Sequence, residues 1–281
     1  MIVRESVQTP MSWAGWALLI CGLGHLPLVA FTGEDWSGPI SWRKPVLFGL
    51  STGLTLWSMG WLASRLPAGR WDRFFGWLTA GTLLVEVGLI TLQKWFGRAS
   101  HFNQETAWDR GVDQAMFWLI CLAFSGIVYF AIRSAGRLQT TADYRLAIRG
   151  GMAFLVLSCL VGFAISIHGY RQIQLGRSPG WIGSQGVAKF PHGITIHALQ
   201  LFPLYVLIAR RLKIPAKRRK SALIWLGAAS LFQLFFALHQ SWNGLQRLDL
   251  QTVAGTTLFA AAAFCLLQPT NFVLRSLWPG D

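Results

Sequence analysis

The stretch Phe74-Phe-Gly-Trp-Leu-Thr-Ala-Gly-Thr-Leu-Leu-Val-Glu-Val-Gly-Leu-Ile-Thr-Leu-Gln-Lys-Trp95 runs for 22 residues with one carboxylate, Glu86, and no other charge before Lys94. A bilayer's hydrocarbon core is about 30 Å thick, so a helix rising about 1.5 Å per residue crosses it in roughly 20 residues. A helix on the surface of a soluble protein keeps a polar face. This one has none over six turns, so it reads as a membrane span.

The rest of the chain repeats the pattern. Of 281 residues 53% are hydrophobic and only 13% charged, against about a quarter in soluble domains. Trp reaches 15 and Phe 19, and the mean hydropathy is +0.43. Disordered, collagenous and disulfide-scaffold classes are thereby excluded. Eight windows have spanning length: about 12–32, 46–64, 74–95, 114–132, 150–168, 193–209, 221–241 and 252–268. The first is not a cleavable signal. It is preceded by Arg4 and Glu5, lacks a small-x-small site, and carries His25 and Pro27 within the apolar run. The expectation is an all-α, polytopic transmembrane helical bundle of about eight spans, one integral membrane domain over 1–281.

Eight spans put both termini on one face, with the connections near 65–73, 133–149 and 210–220. That face collects sixteen Lys and Arg, from Arg4 to Arg275, and the other nine: Arg43, Lys44, Lys94, Arg98, Arg110, Arg171, Arg177, Lys189 and Arg247. Basic residues are retained in the cytoplasm, so both termini are expected inside. Most of the formal net charge of +14 thus sets orientation beside anionic lipid. The partner it implies is the lipid bilayer, not nucleic acid. Cys21, Cys121, Cys159 and Cys265 all fall within spans, without paired spacing, and are expected to act as small buried hydrophobes without disulfides.

All six histidines fall on or near the opposite, outer face. His25, His168, His197 and His239 lie in helices within roughly 10 Å of it, His101 in the loop after the third span, and His192 beside the start of the sixth, acting from the loop. Because imidazole is the commonest metal ligand and holds haem iron between membrane helices, the four helical histidines are candidate ligands for haem b or a transition-metal ion in a redox role. The competing view has each His bonding a neighbouring helix. Glu86, a carboxylate in mid-span, is a functional candidate by default, and Gln93 shares its helix face seven residues on. His197 and Gln200 share a face on the sixth span. Arg43, Lys44, His101 and Asn103 would form an outer lid, with Arg171 and His192 adding polar groups. These residues also suit a pocket for a small lipophilic or anionic ligand entering from outside. They suit equally a transporter or sensor in which Glu86 and the histidines form a proton-sensitive element. Phosphate-binding loops and hydrolase elbows are missing.

Two stretches carry a resemblance. Trp42-Arg-Lys-Pro-Val-Leu-Phe-Gly-Leu-Ser51 resembles a W-x-K-P-x-x-F-x-x-S pattern. Glu86 to Asn103, through Gln93, Gly97 and Ser100-His-Phe-Asn103, resembles E-x6-Q-x3-G-x2-S-H-F-N. Together they resemble an uncharacterised family of bacterial multi-pass membrane proteins. The resemblance implies a setting in the bacterial inner membrane and groups Arg43, Lys44, Pro45, Glu86, Gln93 and Ser100 to Asn103, without naming a ligand.

Orientation is testable with reporter fusions. A fusion at residue 215 should report cytoplasm and one at residue 180 the outer side. Agreement between the two reporters would overturn the eight-span topology.

Overall fold

Hydrogen bonding decides the secondary structure, because backbone groups in hydrocarbon find no water and must pair within the chain. The computed structural model describes residues 2–34 and 36–277, with side chains from residue 8 onward. The side chains of Arg4, Glu5, Asp35 and Asp281, part of the charge distribution above, lie outside the described residues. The chain is 75% helical, and eight helical segments are long and apolar enough to cross a membrane. It is an all-α, multi-pass membrane bundle.

The first span, Gln8–Thr32, comprises α1 (Ile2–Gly24) and α2 (Leu26–Thr32), which meet at His25 just before Pro27. Then come α3 (Arg43–Ala63), α4 (Asp72–Trp95), α5 (Ala107–Ala135) and α6 (Ala142–Gln174). A short antiparallel hairpin follows, β1 (Trp181–Ile182) with β2 (Gly186–Val187), pairing Trp181 with Val187. The sixth span, Phe190–Arg211, is split into α7 (Phe190–Thr195) and α8 (Ala198–Arg211); α9 (Ala216–Trp242) and α10 (Val253–Leu277) complete the chain. Every expected span is present, but several helices run past the apolar windows. The α5 helix begins at Ala107 rather than near 114, because Asp109 and Asp113 sit in its first two turns, both buried and hydrogen bonded. Hydropathy ends where charge begins; a helix does not.

The helices form two compact units, Met1–Gln139 and Thr140–Asp281. In each, the first span packs on the second and third, the second on the third, and the third on the fourth. In the first unit the tightest approach is α1 on α3, where glycines replace side chains. A Cβ on Gly49 would lie 2.7 Å from the Gly22 Cα, and one on Gly53 2.8 Å from the Gly15 carbonyl oxygen. Lipid is as apolar as leucine, so membrane helices associate through such close packing.

At one end, each unit ties its helices through a buried aspartate. Asp72 at the start of α4 accepts from the Gly69 N–H at 2.7 Å, from the Tyr129 hydroxyl at 2.7 Å and from Arg133 at the end of α5. Asp143 at the start of α6 takes Arg210 Nη2 at 2.7 Å from α8 and Arg219 Nε at 2.7 Å from α9, with the Thr141 hydroxyl at 2.6 Å. These arginines are ion-pair partners.

The α1–α3 crossing gives a stability test. Gly49→Ala puts a methyl into backbone that cannot retreat, and should lower the unfolding free energy by about 1–3 kcal/mol. At Gly81 of α4 an added Cβ meets nothing within 4 Å, so Gly81→Ala should be neutral or slightly stabilising. Thermal unfolding in detergent separates the two.

Candidate functional site

The two sequence stretches singled out by pattern meet in space. Lys44, in the first turn of α3, donates from Nζ to Ser100 Oγ at 2.9 Å, and Ser100 Oγ is 2.9 Å from His101 Nδ1. One turn along α3, the Phe48 ring stacks on His101, centroids 5.7 Å apart. Phe48 in turn packs against the buried trio Ile90, Val112 and Met116. The α3 start, the α4–α5 loop and the α4 core face therefore make one continuous cluster. The Ser100 hydroxyl accepts from Lys44 and keeps both a proton and a second lone pair for His101 Nδ1, so the tautomer of that ring sets the direction of their bond. Withdrawal from water, helped by the Lys44 charge, lowers the His101 pKa from its usual value to about 3.

The loop carrying Ser100 and His101 is held by buried carboxylates. Asp109 accepts from Gln93 Nε2 at 3.1 Å and Arg98 Nη1 at 3.5 Å, and exchanges hydrogen bonds with Thr106, the cap of α5. Asp113 accepts from the Phe102 N–H at 2.8 Å and from Gln104 Nε2 at 2.8 Å. Phe102 has φ of 59°, so this bond holds a left-handed backbone that a side-chain-bearing residue rarely adopts. Asn103 was expected in an outer lid, but it braces the loop: its amide donates to the Ala99 carbonyl and its oxygen accepts from the Glu105 N–H. Among the described residues Arg43 reaches the Gly38 carbonyl, at 3.5 Å.

Against this satisfied network three buried atoms in the same unit stand out. Glu86 Oε2, Gln93 Oε1 and Trp42 Nε1 have no hydrogen-bond partner among the described residues. Glu86 is 7% exposed, Gln93 1% and Trp42 7%. Glu86, Ile90 and Gln93 follow at i, i+4 and i+7 on one face of α4. Trp42 lies at the outer end, its ring 5.1 Å from Trp95 and 4.5 Å from Lys94 Nζ. Trp95, Trp108 and Trp242 are by contrast exposed, as an interfacial belt requires. Composition does not distinguish Trp42 from them; only burial does.

The histidines are largely engaged by protein groups. His25 donates from Nδ1 to the Cys21 carbonyl at 2.7 Å and accepts at Nε2 from the Trp95 indole at 3.1 Å. His239 donates from Nε2 to Thr252 Oγ1 at 2.9 Å and accepts from the Asn243 amide at 3.2 Å. Ligation by either would break a hydrogen bond. His168 donates to the Trp181 carbonyl at 3.0 Å and so pins the hairpin to α6. His197 bonds the Gln200 side chain, as their spacing suggests. His192 lies within helix α7, where a loop was expected, because Pro191 starts a helical turn ahead of the break at 196–197. Its Nδ1 is 2.7 Å from the Ser158 carbonyl oxygen. Arg171 is exposed in the last turn of α6. Among the described residues no group of three or more His, Cys, Asp or Glu is placed to hold a metal ion.

No protein-family model, curated protein or solved structure matches this chain.

The His101 environment predicts a pH effect with a definite sign. Its pKa is depressed in the folded state, so the associated stability is complete above about 6.5, the unfolded histidine value. It is lost progressively as pH falls from there toward 3. His101→Gln should flatten this part of the stability curve, read by unfolding in detergent between pH 7 and 4.

Proposed function

We propose that this chain is a transporter or sensor of a bacterial inner membrane, with both termini cytoplasmic. The outer half of its first unit takes up a small lipophilic ligand that carries a hydrogen-bond donor or a positive charge, and Glu86 is the proton-responsive group. The observation that carries this reading is the contrast among buried carboxylates. Asp72, Asp109, Asp113 and Asp143 are each met by donors, whereas Glu86, at mid-span, is met by none among the described residues. Such a group is costly in hydrocarbon and persists where something that arrives completes it, a proton or a ligand.

The outer cations favour this over capture of an anion. Lys94 is paired with Glu34 and Arg98 with Asp109. A haem or metal ion held by His25, His168, His197 and His239 receives less support, since His25 and His239 have both ring nitrogens in hydrogen bonds. Orientation rests on the sixteen-to-nine split of basic residues.

Infrared difference spectroscopy across a pH step, on protein in bilayers, tests the role of Glu86. A buried carboxyl band should change in the wild type and vanish in Glu86→Gln. That variant should match or exceed wild-type stability, because it removes an unmatched acid while keeping its shape. A band that survives the substitution, or a purified protein with a haem absorption spectrum or stoichiometric metal, would sink the proposal.

A further inference from the structure

The start of α4 carries a second feature, at the opposite end of the first unit from the cluster above. Arg70, Trp71, Arg73, Phe74, Trp77 and Leu78 line an open groove of about 640 Å³. Its chemistry is divided. Arg70 and Arg73 sit at one end, and Phe74, Trp77 and Leu78 continue along the helix at i+1, i+4 and i+5 from Arg73, toward the membrane interior. Trp71, Phe74 and Trp77 are each more than half exposed.

The carboxylate between the two arginines in sequence does not neutralise them. Asp72 is turned inward, 5% exposed, and fully engaged by the Gly69 N–H, Tyr129 and Arg133. Among the described residues no acid pairs with Arg70 or Arg73; Arg70 instead lies over the Trp71 ring at 5.1 Å. Two fixed positive charges thus stand at the head of an exposed aromatic and aliphatic strip, on a helix that crosses the bilayer. A water-soluble anion would use the arginines and leave the strip empty. A neutral lipid would use the strip and leave the charges unmatched.

We infer that this groove is a binding site for one anionic phospholipid of the surrounding bilayer. The phosphate lies between the Arg70 and Arg73 guanidiniums, which suit phosphate oxygens through paired N–H donors. An acyl chain runs along Phe74, Trp77 and Leu78, and the two indoles occupy the interfacial level where tryptophan is favoured.

Native mass spectrometry of the detergent-solubilised full chain, titrated with phosphatidylglycerol or phosphatidylcholine, tests the assignment. Wild type should prefer phosphatidylglycerol, and Arg70→Gln/Arg73→Gln should lose about 30-fold in that affinity, the factor for two basic side chains at an anionic surface. The control Lys217→Gln/Arg218→Gln, in the exposed basic run, should keep the preference. Millimolar inorganic phosphate should not displace the lipid. Equal binding of both lipids overturns the assignment. So does a preference that survives the Arg70/Arg73 change, an equal loss in the control, or displacement by phosphate. Should the double variant not fold, Arg73→Gln alone carries the same comparison with about half the effect on a logarithmic scale.

Discussion

Backbone within the hydrocarbon must find its hydrogen-bond partners inside the chain, because the surrounding lipid offers none. That constraint makes the backbone helical and then selects where charge is tolerated. Charged groups gather at helix ends, where Asp72 and Asp143 each join neighbouring helices by hydrogen bonds in addition to their apolar packing. Removing one partner of such a pair leaves an uncompensated charge, which is why these contacts hold helix ends together although the pairs add little net stability. The outer loop of the first unit obeys the same constraint. Asp109 and Asp113 brace this loop and its left-handed Phe102 by hydrogen bonds, while Lys44 and the Phe48 ring engage Ser100 and His101.

Glu86 gains its meaning from that economy. A fold that satisfies four buried aspartates so thoroughly has left, within its first unit, one carboxyl oxygen, one amide oxygen and one indole N–H unanswered among the described residues. Their separation along α4, two turns from Glu86 to Gln93, is about 10 Å. They therefore define a column rather than a point, which suits an elongated ligand or a proton path better than a single ion.

The fold was legible because hydropathy reports the solvent directly, and the apolar windows required only counting. Helix ends were less so: Asp109 and Asp113 look like loop residues until their partners in the neighbouring loop are known. The spacing Thr106-x-x-Asp109 is the one local hint, a capping pattern at the start of α5. The candidate site was half legible. Glu86 and Gln93 follow from charge in mid-span and helical periodicity. The ligand reading of the histidines came from their places along the chain, which say nothing of their neighbours. His25 meets Trp95, seventy residues away, and His239 meets Thr252. Such partners depend on helix adjacency, which period and composition do not encode. Trp42 was hidden for the same reason among a belt of exposed tryptophans.

The basic residues around Asp72 and Asp143 illustrate how one charge pattern serves separate ends. Counted with the chain's other Lys and Arg, they give the sixteen-to-nine split on which the proposed orientation rests. Placed in space they divide by whether an acid answers them. Arg133, Arg210 and Arg219 are consumed by Asp72 and Asp143, and their positive charge is largely cancelled locally. Arg70 and Arg73 flank one of those same aspartates in sequence yet keep their charge, because Asp72 faces the helix packing and they face the lipid. An alternation of acid in and base out around a single helix start thus ties the helices together on one side and presents cations to the membrane on the other. The net charge of +14 conceals this division, since paired and unpaired arginines count alike in it. The unpaired ones are where a membrane anion has something left to bind.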